Sequence, residues 1–392
     1  MRPGQNRLQD ILLVLVLLST FILPPIRIVG LPSLQLVDFI WPFLFIPFYK
    51  RNLPRDLSKY IILIALVMVW MCVSIAANGR IGVLNDWFEI IKELKYLGLV
   101  CFFATIVSGT LLNRGIEITF YFMLLVNGLH YFNVFNINQL IMDVYEGGIH
   151  IELFGLNSLG GPGAKRMVGV YRNPNINAIL FSFYAIWYFP VKWKGRGSVL
   201  FLVSMLCFFL CQSRTGLIAF GAWFILGMIL YRFAIKQVLT TILATIGTYG
   251  LAYGLDSSYF ANAFNTNVAE LGSVRGRLET WRMLGNMIKK KPWLGHGPFK
   301  QYFYDNELYA ESEYMLQTWR YGIPGLSFFM AKLIFPLILL KKWIQKDSVK
   351  KLFLFTVVIL VTSLTNNPLQ DRNILVLIAL MLGLALQDSK DG

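Results

Sequence analysis

The sequence predicts an all-α polytopic membrane protein, and three observations carry that prediction. Hydrophobic residues make up 56% of the 392 positions and charged residues only 15%, whereas soluble domains average about 25% charged residues. The hydrophobic residues fall into repeated apolar windows, and about 20 apolar residues cross a bilayer. The net charge of +15 comes from lysines and arginines concentrated in short loops, as in cytoplasmic loops. A soluble catalytic domain, intrinsic disorder and nucleic-acid binding are therefore not expected.

About twelve apolar windows follow one another, and each is predicted to form a transmembrane helix. The second is the weakest, because it contains Trp41, Pro42 and Pro47. With the basic loops in the cytoplasm, both termini are also cytoplasmic, and residues 1–392 form a single integral membrane domain. The windows cover residues 8–24, 37–49, 60–77, 96–111, 118–135, 175–190, 198–212, 216–230, 238–254, 316–340, 352–364 and 374–387.

Two long connections are predicted on the outer side, at residues 136–173 and 255–315. Long loops of this kind usually carry function. The first is rich in glycine and proline and contains Arg166 and Arg172. Its backbone N–H groups can approach an anion, or it serves as a plain connector. The second is predicted to contain an amphipathic helix that opens near Val274 and lies on the outer leaflet.

Arginines gather at the outer ends of the predicted helices. Arg275 and Arg277 stand at the start of the amphipathic helix, where the helix dipole favours anions. Arg214 lies in a turn that is too short to form a loop of its own, so it is predicted to lie where two helices end. For Arg320, as for Arg214, the alternatives are a functional role and a side chain that reaches to the lipid headgroups. Placing a cation inside the membrane costs about 3 kcal/mol of free energy. That cost favours a functional role for these arginines over simple snorkelling to the lipid headgroups. Because the planar guanidinium suits phosphate, a membrane-embedded lipid diphosphate is the expected ligand.

No metal site and no cofactor are expected. The chain has three histidines and four cysteines, its acidic residues form no compact cluster, and the cysteines fall inside predicted spans. His296, which stands between two glycines, is interpreted as a turn residue, with contact to the substrate as the alternative.

Five short motifs follow one another between residues 213 and 326. They are Ser-Arg-Thr-Gly at 213–216, Gly-Arg-Leu-Glu-Thr-Trp at 276–281, Pro-Trp-Leu-Gly-His-Gly at 292–297, Glu-Ser-Glu-Tyr at 311–314 and Tyr-Gly-Ile-Pro-Gly-Leu at 321–326. Preceded by Arg-Asn-Pro-Asn at 172–175, this order resembles the superfamily of O-antigen polymerases (Wzy type) and O-antigen ligases, the Wzy_C-like membrane glycosyltransferases.

The resemblance implies a GT-C-like, metal-independent enzyme at the periplasmic face of the bacterial inner membrane. Its donor would be an oligosaccharide on undecaprenyl diphosphate, and Arg214 and Arg277 would hold the diphosphate. Polymerases pass the glycan to the sugar end of another lipid-linked repeat unit, whereas ligases pass it to the lipid A core. The expected partners are the lipid-linked oligosaccharide as donor and acceptor, membrane lipid and a candidate chain-length regulator.

One position departs from the ligase pattern. Ligases carry a histidine, thought to be needed as a base, where this sequence has Glu311. That difference favours a polymerase for O-antigen or a related surface polysaccharide. Glu311 is then the first candidate to accept the proton of the acceptor hydroxyl, with Glu313 as the alternative, unless they only pair with Arg275 or Arg320. An O-antigen ligase and a flippase or exporter of the same lipid-linked oligosaccharide are the competing functions.

Overall fold

The structure, a computed structural model, describes most of the chain as a bundle of helices. The described residues are 3–26, 34–46, 54–105, 109–145, 166–171, 173–255, 272–306 and 310–389. Within these ranges no β-strand forms, and a single antiparallel bridge joins Ile26 to Leu34. The predicted all-α class is therefore confirmed for the described part of the chain.

Each apolar window of the sequence overlaps at least one helix, and three helices of the described part of the chain lie in the predicted outer loops. In chain order they are α1 (Pro3–Phe21), α2 (Val37–Ile40), α3 (Arg55–Ala77), α4 (Leu84–Phe103), α5 (Gly109–Phe132), α6 (Ile137–Tyr145), α7 (Pro174–Trp187), α8 (Arg196–Leu210), α9 (Arg214–Leu230), α10 (Ile235–Leu255), α11 (Gly272–Lys290), α12 (Lys300–Asp305), α13 (Glu313–Leu340), α14 (Asp347–Thr362) and α15 (Arg372–Asp388). Short 3₁₀ turns extend α2 through Trp41–Phe45 and precede α15 at Pro368–Gln370.

The core of the bundle is formed by α7 and α15, which are buried along nearly their whole length. Such helices are apolar on every side because other helices surround them. Around α7 lie α8, α9, α14 and α15. Large side chains fill this region, and Phe183 packs edge-on against Phe355 of α14 with ring centroids 5.8 Å apart.

Within the described ranges, three helices are long and apolar enough to span a membrane: Arg55–Ala77, Ile235–Leu255 and Glu313–Trp343. A fourth span is possible if Gly109–Phe132 and Val134–Ile141, which meet at a bend of 110°, count as one. The twelve predicted spans therefore stay a prediction, although each window overlaps a helix. Some windows form helices shorter than the roughly 30 Å hydrocarbon core, and α4 carries five charged side chains.

The two predicted outer loops are partly helical. Residues 137–145 of the first loop form α6, and residues 146–165 lie outside the described ranges. In the second loop, residues 256–271 lie outside them, and the predicted amphipathic helix is α11. Leu284 of α11 is buried against Leu316 and Trp319 of α13.

The bundle has two chemically different ends. Asn175, Ser213, Glu313 and Asn366 meet at the first, which we call the motif end. The second, the basic end, gathers the loops in which the sequence concentrates lysine and arginine. Its contacts include Lys342 with Asp56 (3.8 Å), the Tyr231 hydroxyl with Asp347 (2.5 Å), Gln237 with the Val191 carbonyl (3.0 Å) and Ser348 with Asp388 (2.6 Å). That the basic end faces the cytoplasm stays a prediction of the positive-inside rule.

Candidate functional site at the motif end

The Ser-Arg-Thr-Gly motif is the start of helix α9. Ser213 is the N-cap, and its Oγ accepts a hydrogen bond from the backbone N–H of Gly216 at 3.1 Å, which is the usual way to satisfy a free amide of a first turn. A side chain on Gly216 would approach the Ser213 Cβ to 3.0 Å, so glycine keeps this turn tight. Arg214 is thereby fixed as the first residue of the helix.

The Nε atom of Arg214 lies in an unusual environment for a charged side chain. Its side chain is half-buried, and its Nε is buried without a hydrogen-bond partner among the described residues. Buried donors are normally paired, and a charged one is costly to leave alone. The guanidinium also lies at a helix N-terminus, where the dipole adds partial positive charge. Both features make this position suited to an anion.

Asn175 ties Arg214's turn to two other segments. Its Oδ1 accepts from Ser213 Oγ at 2.8 Å and from Arg166 Nη2 at 3.3 Å, and its Nδ2 donates to Asn366 Oδ1 at 2.9 Å. Asn175 itself is held by Asn173, which caps α7 by accepting from the Asn175 backbone N–H at 2.8 Å. Asn173 and Asn175 of the Arg-Asn-Pro-Asn motif therefore position the Ser-Arg-Thr-Gly motif.

The loop at residues 363–371 completes the site, and sequence reasoning missed it. Asn366 holds Asn175, the Thr365 hydroxyl hydrogen-bonds the Thr215 hydroxyl, and the carbonyls of Ser363 and Asn366 accept from the Glu313 backbone N–H at 3.0 and 3.1 Å. The available signal was an Asn-Asn-Pro run at 366–368 between two apolar windows, which parallels Asn-Pro-Asn at 173–175.

Glu313, the alternative base, is fully buried at the start of α13. Its carboxylate accepts hydrogen bonds from Leu369 N at 3.1 Å, from Gln370 Nε2 at 3.0 Å and from Gln317 Nε2 at 2.7 Å. A carboxylate with three donors is a strong structural anchor. It fastens the 363–371 loop to α13.

Glu311, the first candidate base, forms an ion pair with Nε of Arg277. The two side chains are 38% and 26% exposed, so the pair is open to solvent and to a ligand. Arg320, which the sequence also offered as a partner, instead contacts Gln370 and Glu89. The neighbouring Ala310 carbonyl accepts from Asn367 Nδ2, and therefore Arg277 is joined through Glu311 to the same loop that contacts the Arg214 turn.

Arg320 lies deeper, beside a narrow polar cleft. It is 4% exposed, and its Nη1 donates to Gln370 Oε1 at 3.1 Å and approaches Glu89 Oε2 at 3.5 Å. The cleft, between α3, α4 and α13, has a volume of about 40 Å³ and ends at the Lys332–Glu93 ion pair (2.6 Å). That is room for a few water molecules. Arg320 thus contacts the site network through Gln370.

His296 is placed as a turn residue by backbone contacts. Its N–H donates to the Trp319 carbonyl at 2.9 Å, its ring stacks on Trp319, and its Nε2 donates to the Met287 carbonyl at 3.1 Å. Burial lowers the pKa of His296, an effect that the hydrogen bond to Met287 opposes. The imidazole is therefore neutral at pH 7, and its contacts orient α13.

The motif at 292–297 and the motif at 321–326 pack against each other through backbone hydrogen bonds. The Gly297 N–H donates to the Arg320 carbonyl at 2.8 Å, and the Ile323 N–H donates to the Pro292 carbonyl at 2.8 Å. Gly322 has φ +72°, and a Cβ there would lie 2.0 Å from the Trp293 carbonyl oxygen. Such close backbone approach requires glycine, which explains why these two motifs occur together.

Two of the predicted residues are not described at side-chain level. Arg172 lies outside the described residues, and so does the side chain of Arg275, although its backbone belongs to α11. Arg166 and Glu313 belong to one hydrogen-bonded network, Arg214 directly follows Ser213 of that network, and Arg277 and Glu311 adjoin it. Among the described residues, no three His, Cys, Asp or Glu side chains are grouped as metal ligands.

The motif end combines three helix starts with arginine side chains. Helices α7, α9 and α13 all begin there, and each has a capping side chain, from Asn173, Ser213 and Ser312. Helix N-termini attract anions through their free N–H groups and dipoles. Arginines at the same place add charge and paired donors. The fold and site thus define a helical membrane protein whose motif end combines arginine side chains with helix N-termini.

Comparison with known families agrees with this class. Residues 199–330, about a third of the chain, match the protein-family model Wzy_C, described as O-antigen ligase. The match covers Arg214, Arg277 and Glu311 but not Asn175 or the 363–371 loop. It supports the O-antigen ligase and polymerase superfamily of membrane glycosyltransferase-like enzymes, and it does not distinguish a ligase from a polymerase. No curated protein matches the chain.

Proposed function

We propose that this protein polymerises oligosaccharide repeat units carried on undecaprenyl diphosphate, at the periplasmic face of the bacterial inner membrane. The observation that supports this most is the buried Nε of Arg214, which has no hydrogen-bond partner in the described part of the chain and lies at a site where three helices begin. The family match covers this arginine. A diphosphate at a lipid–water boundary has the charge and the geometry to fill the site.

The reaction is a displacement at the anomeric carbon of the donor sugar. The bond from that carbon to the diphosphate oxygen breaks, and its electron pair leaves with undecaprenyl diphosphate. A new bond forms to the acceptor hydroxyl oxygen, whose proton passes to Glu311. Arg214 and Arg277 stabilise the charge that develops on the leaving diphosphate, a type of interaction worth about 10²- to 10³-fold per donor group.

The Arg277–Glu311 ion pair couples donor binding to base catalysis. A diphosphate that binds Arg277 replaces Glu311 as the partner of the guanidinium, because phosphate competes with carboxylate for the same donors. Glu311 then becomes available to accept the proton from the acceptor hydroxyl. A general base in this position contributes about 10²- to 10⁴-fold. The enzyme therefore holds its base inactive until the donor arrives.

A ligase is the second candidate, because the matching family is described as O-antigen ligase. Glu311 at the position where ligases carry histidine is the reason to prefer the polymerase. One assay distinguishes the competing functions. It contains the purified protein, an undecaprenyl-diphosphate repeat unit and a metal chelator. A ladder of product lengths supports the polymerase. Product only after addition of lipid A core identifies a ligase, and no glycosidic bond under either condition favours a flippase or exporter.

A further inference from the structure

A second pocket lies at the basic end, far from the motif end. It opens between the start of α5, the end of α7 and the start of α8, with a volume of about 370 Å³. This volume lies within the range of small-molecule sites. Helix α7 separates the two regions, since Asn175 stands near its beginning and Trp187 at its end; its 14 residues span about 20 Å.

The pocket wall carries two arginines and one glutamate, so the positive charges exceed the negative charges by one. Arg196 is neutralised by an ion pair with Glu117 at 2.6 Å and also donates to the Tyr121 hydroxyl at 2.9 Å. Arg114 lines the same pocket and is exposed, and it makes no hydrogen bond or ion pair with the described residues. The pocket is therefore positively charged and holds a guanidinium ready for an anionic ligand.

Polar groups of the wall point to the same ligand chemistry. Tyr188 lines the pocket, and its hydroxyl is buried with no hydrogen-bond partner among the described residues, which calls for an explanation. Helix α5 begins at Gly109 and α8 at Arg196, and Thr110 and Gly197 of their first turns line the pocket. The first turn of α8 has no side-chain cap, so its N–H groups remain available to an acceptor.

The residues around the pocket are of the types that occur where lipid headgroups meet hydrocarbon. Trp187 is on the pocket wall, and Lys351 lies 5.0 Å above its ring. Tryptophan is enriched where headgroups meet hydrocarbon. The basic end is the one that the loop charges predict to be cytoplasmic, and basic pockets between helices on that side are typical sites for anionic lipids.

We propose that this pocket binds the phosphate group of an anionic phospholipid from the adjoining leaflet. Arg114 pairs with the phosphate, the Tyr188 hydroxyl donates to one of its oxygens, and the first turns of α5 and α8 contribute N–H groups. The acyl chains then run past Trp187 into the bilayer. This proposal is independent of the glycosyl-transfer function, because no residue of the pocket belongs to the motif end.

The test uses the purified full-length protein in detergent, titrated with phosphatidylglycerol, phosphatidylcholine or inorganic phosphate. Bound lipid is counted by native mass spectrometry, and the midpoint of thermal unfolding is measured in parallel. We expect phosphatidylglycerol to bind and to raise the midpoint, and phosphatidylcholine to do neither. Arg114→Gln should weaken phosphatidylglycerol binding about tenfold, the usual size of one lost charge-assisted contact. The matched control is Lys236→Gln, an exposed cation of the same end that does not line the pocket.

A third variant gives an effect of opposite sign. Glu117→Gln removes the carboxylate that neutralises Arg196, and we expect it to strengthen phosphatidylglycerol binding several-fold, which a loss of folding would not do. Equal affinities for Arg114→Gln and Lys236→Gln would overturn the proposal. Protection by inorganic phosphate that depends on Arg114, with none from phosphatidylglycerol, would overturn the lipid assignment and identify a site for a soluble anion.

Discussion

The motif end and the basic end both collect arginines and helix N-termini, but they use them differently. At the motif end, asparagine, serine and glutamate side chains lock the helix starts together, and Arg320 and Arg166 are almost fully buried. At the basic end the pocket is wide, and Arg114 and Arg196 are exposed. Preorganised donors serve chemistry, whereas exposed charge serves attraction to a surface.

Replacement of Arg214 by alanine should have the largest effect. The change removes a cation from a preorganised site, and we expect chain extension by the purified enzyme to fall about 10³-fold or more. Arg214→Lys should also be severely impaired, because a point charge lacks the bidentate fork. Product length and rate are measured on gels with lipid-linked repeat units. The control is Arg114→Gln at the basic end, and equal losses in both variants would remove the distinction between the two ends.

Glu311→Gln should have the second-largest effect on the turnover rate. The amide keeps the size of the side chain but cannot take up the hydroxyl proton, so we expect the turnover rate to fall about 10²-fold. Binding of the lipid-linked donor should be unchanged or tighter, since Arg277 no longer has an ionised partner in the protein. Turnover and donor binding are measured separately. A variant with full turnover would show that Glu311 is not the base.

Asn175→Ala tests whether the hydrogen-bond network positions Arg214. Its side chain contacts Ser213, Arg166 and Asn366 but, as a positioning residue, it need not touch the substrate. We expect about a tenfold lower turnover rate at saturating donor, with expression and membrane insertion retained. Asn113→Ala, an exposed amide at the basic end, is the comparison. Equal turnover rates for the two variants would show that the network does not position Arg214.

Gly322→Ala should affect stability more than chemistry. A Cβ at this positive-φ position would meet the Trp293 carbonyl oxygen, so we expect a loss of about 1–3 kcal/mol in the free energy of unfolding. Gly221 lies within α9 with no atom within 4 Å of a built Cβ, and Gly221→Ala should be neutral or stabilising by about 0.5–1 kcal/mol. Thermal unfolding in detergent compares them, and equal midpoints would contradict the docking of the two motifs.

Sequence reasoning found the helices and the motifs because both leave local signals. Apolar windows predicted the helix positions, and short motifs marked Ser213 and Gly216, whose roles are local capping and turn geometry. The partner of Glu311 and the hub role of Asn175 were not predictable, because they depend on contacts between distant segments. The 363–371 loop was missed for the same reason, since Asn366 acquires its role only when α7, α9 and α14 meet.

The central claim is that Arg214 and Arg277 hold one diphosphate together, and binding of undecaprenyl diphosphate tests it most directly. Affinity is measured with a metal chelator for the wild-type protein, Arg214→Ala, Arg277→Ala and the double variant. Groups that share one ligand act non-additively, so we predict that each single variant loses most of the affinity and that the double variant loses little more. Wild-type affinity in either single variant, or losses that simply add, would contradict a shared diphosphate site.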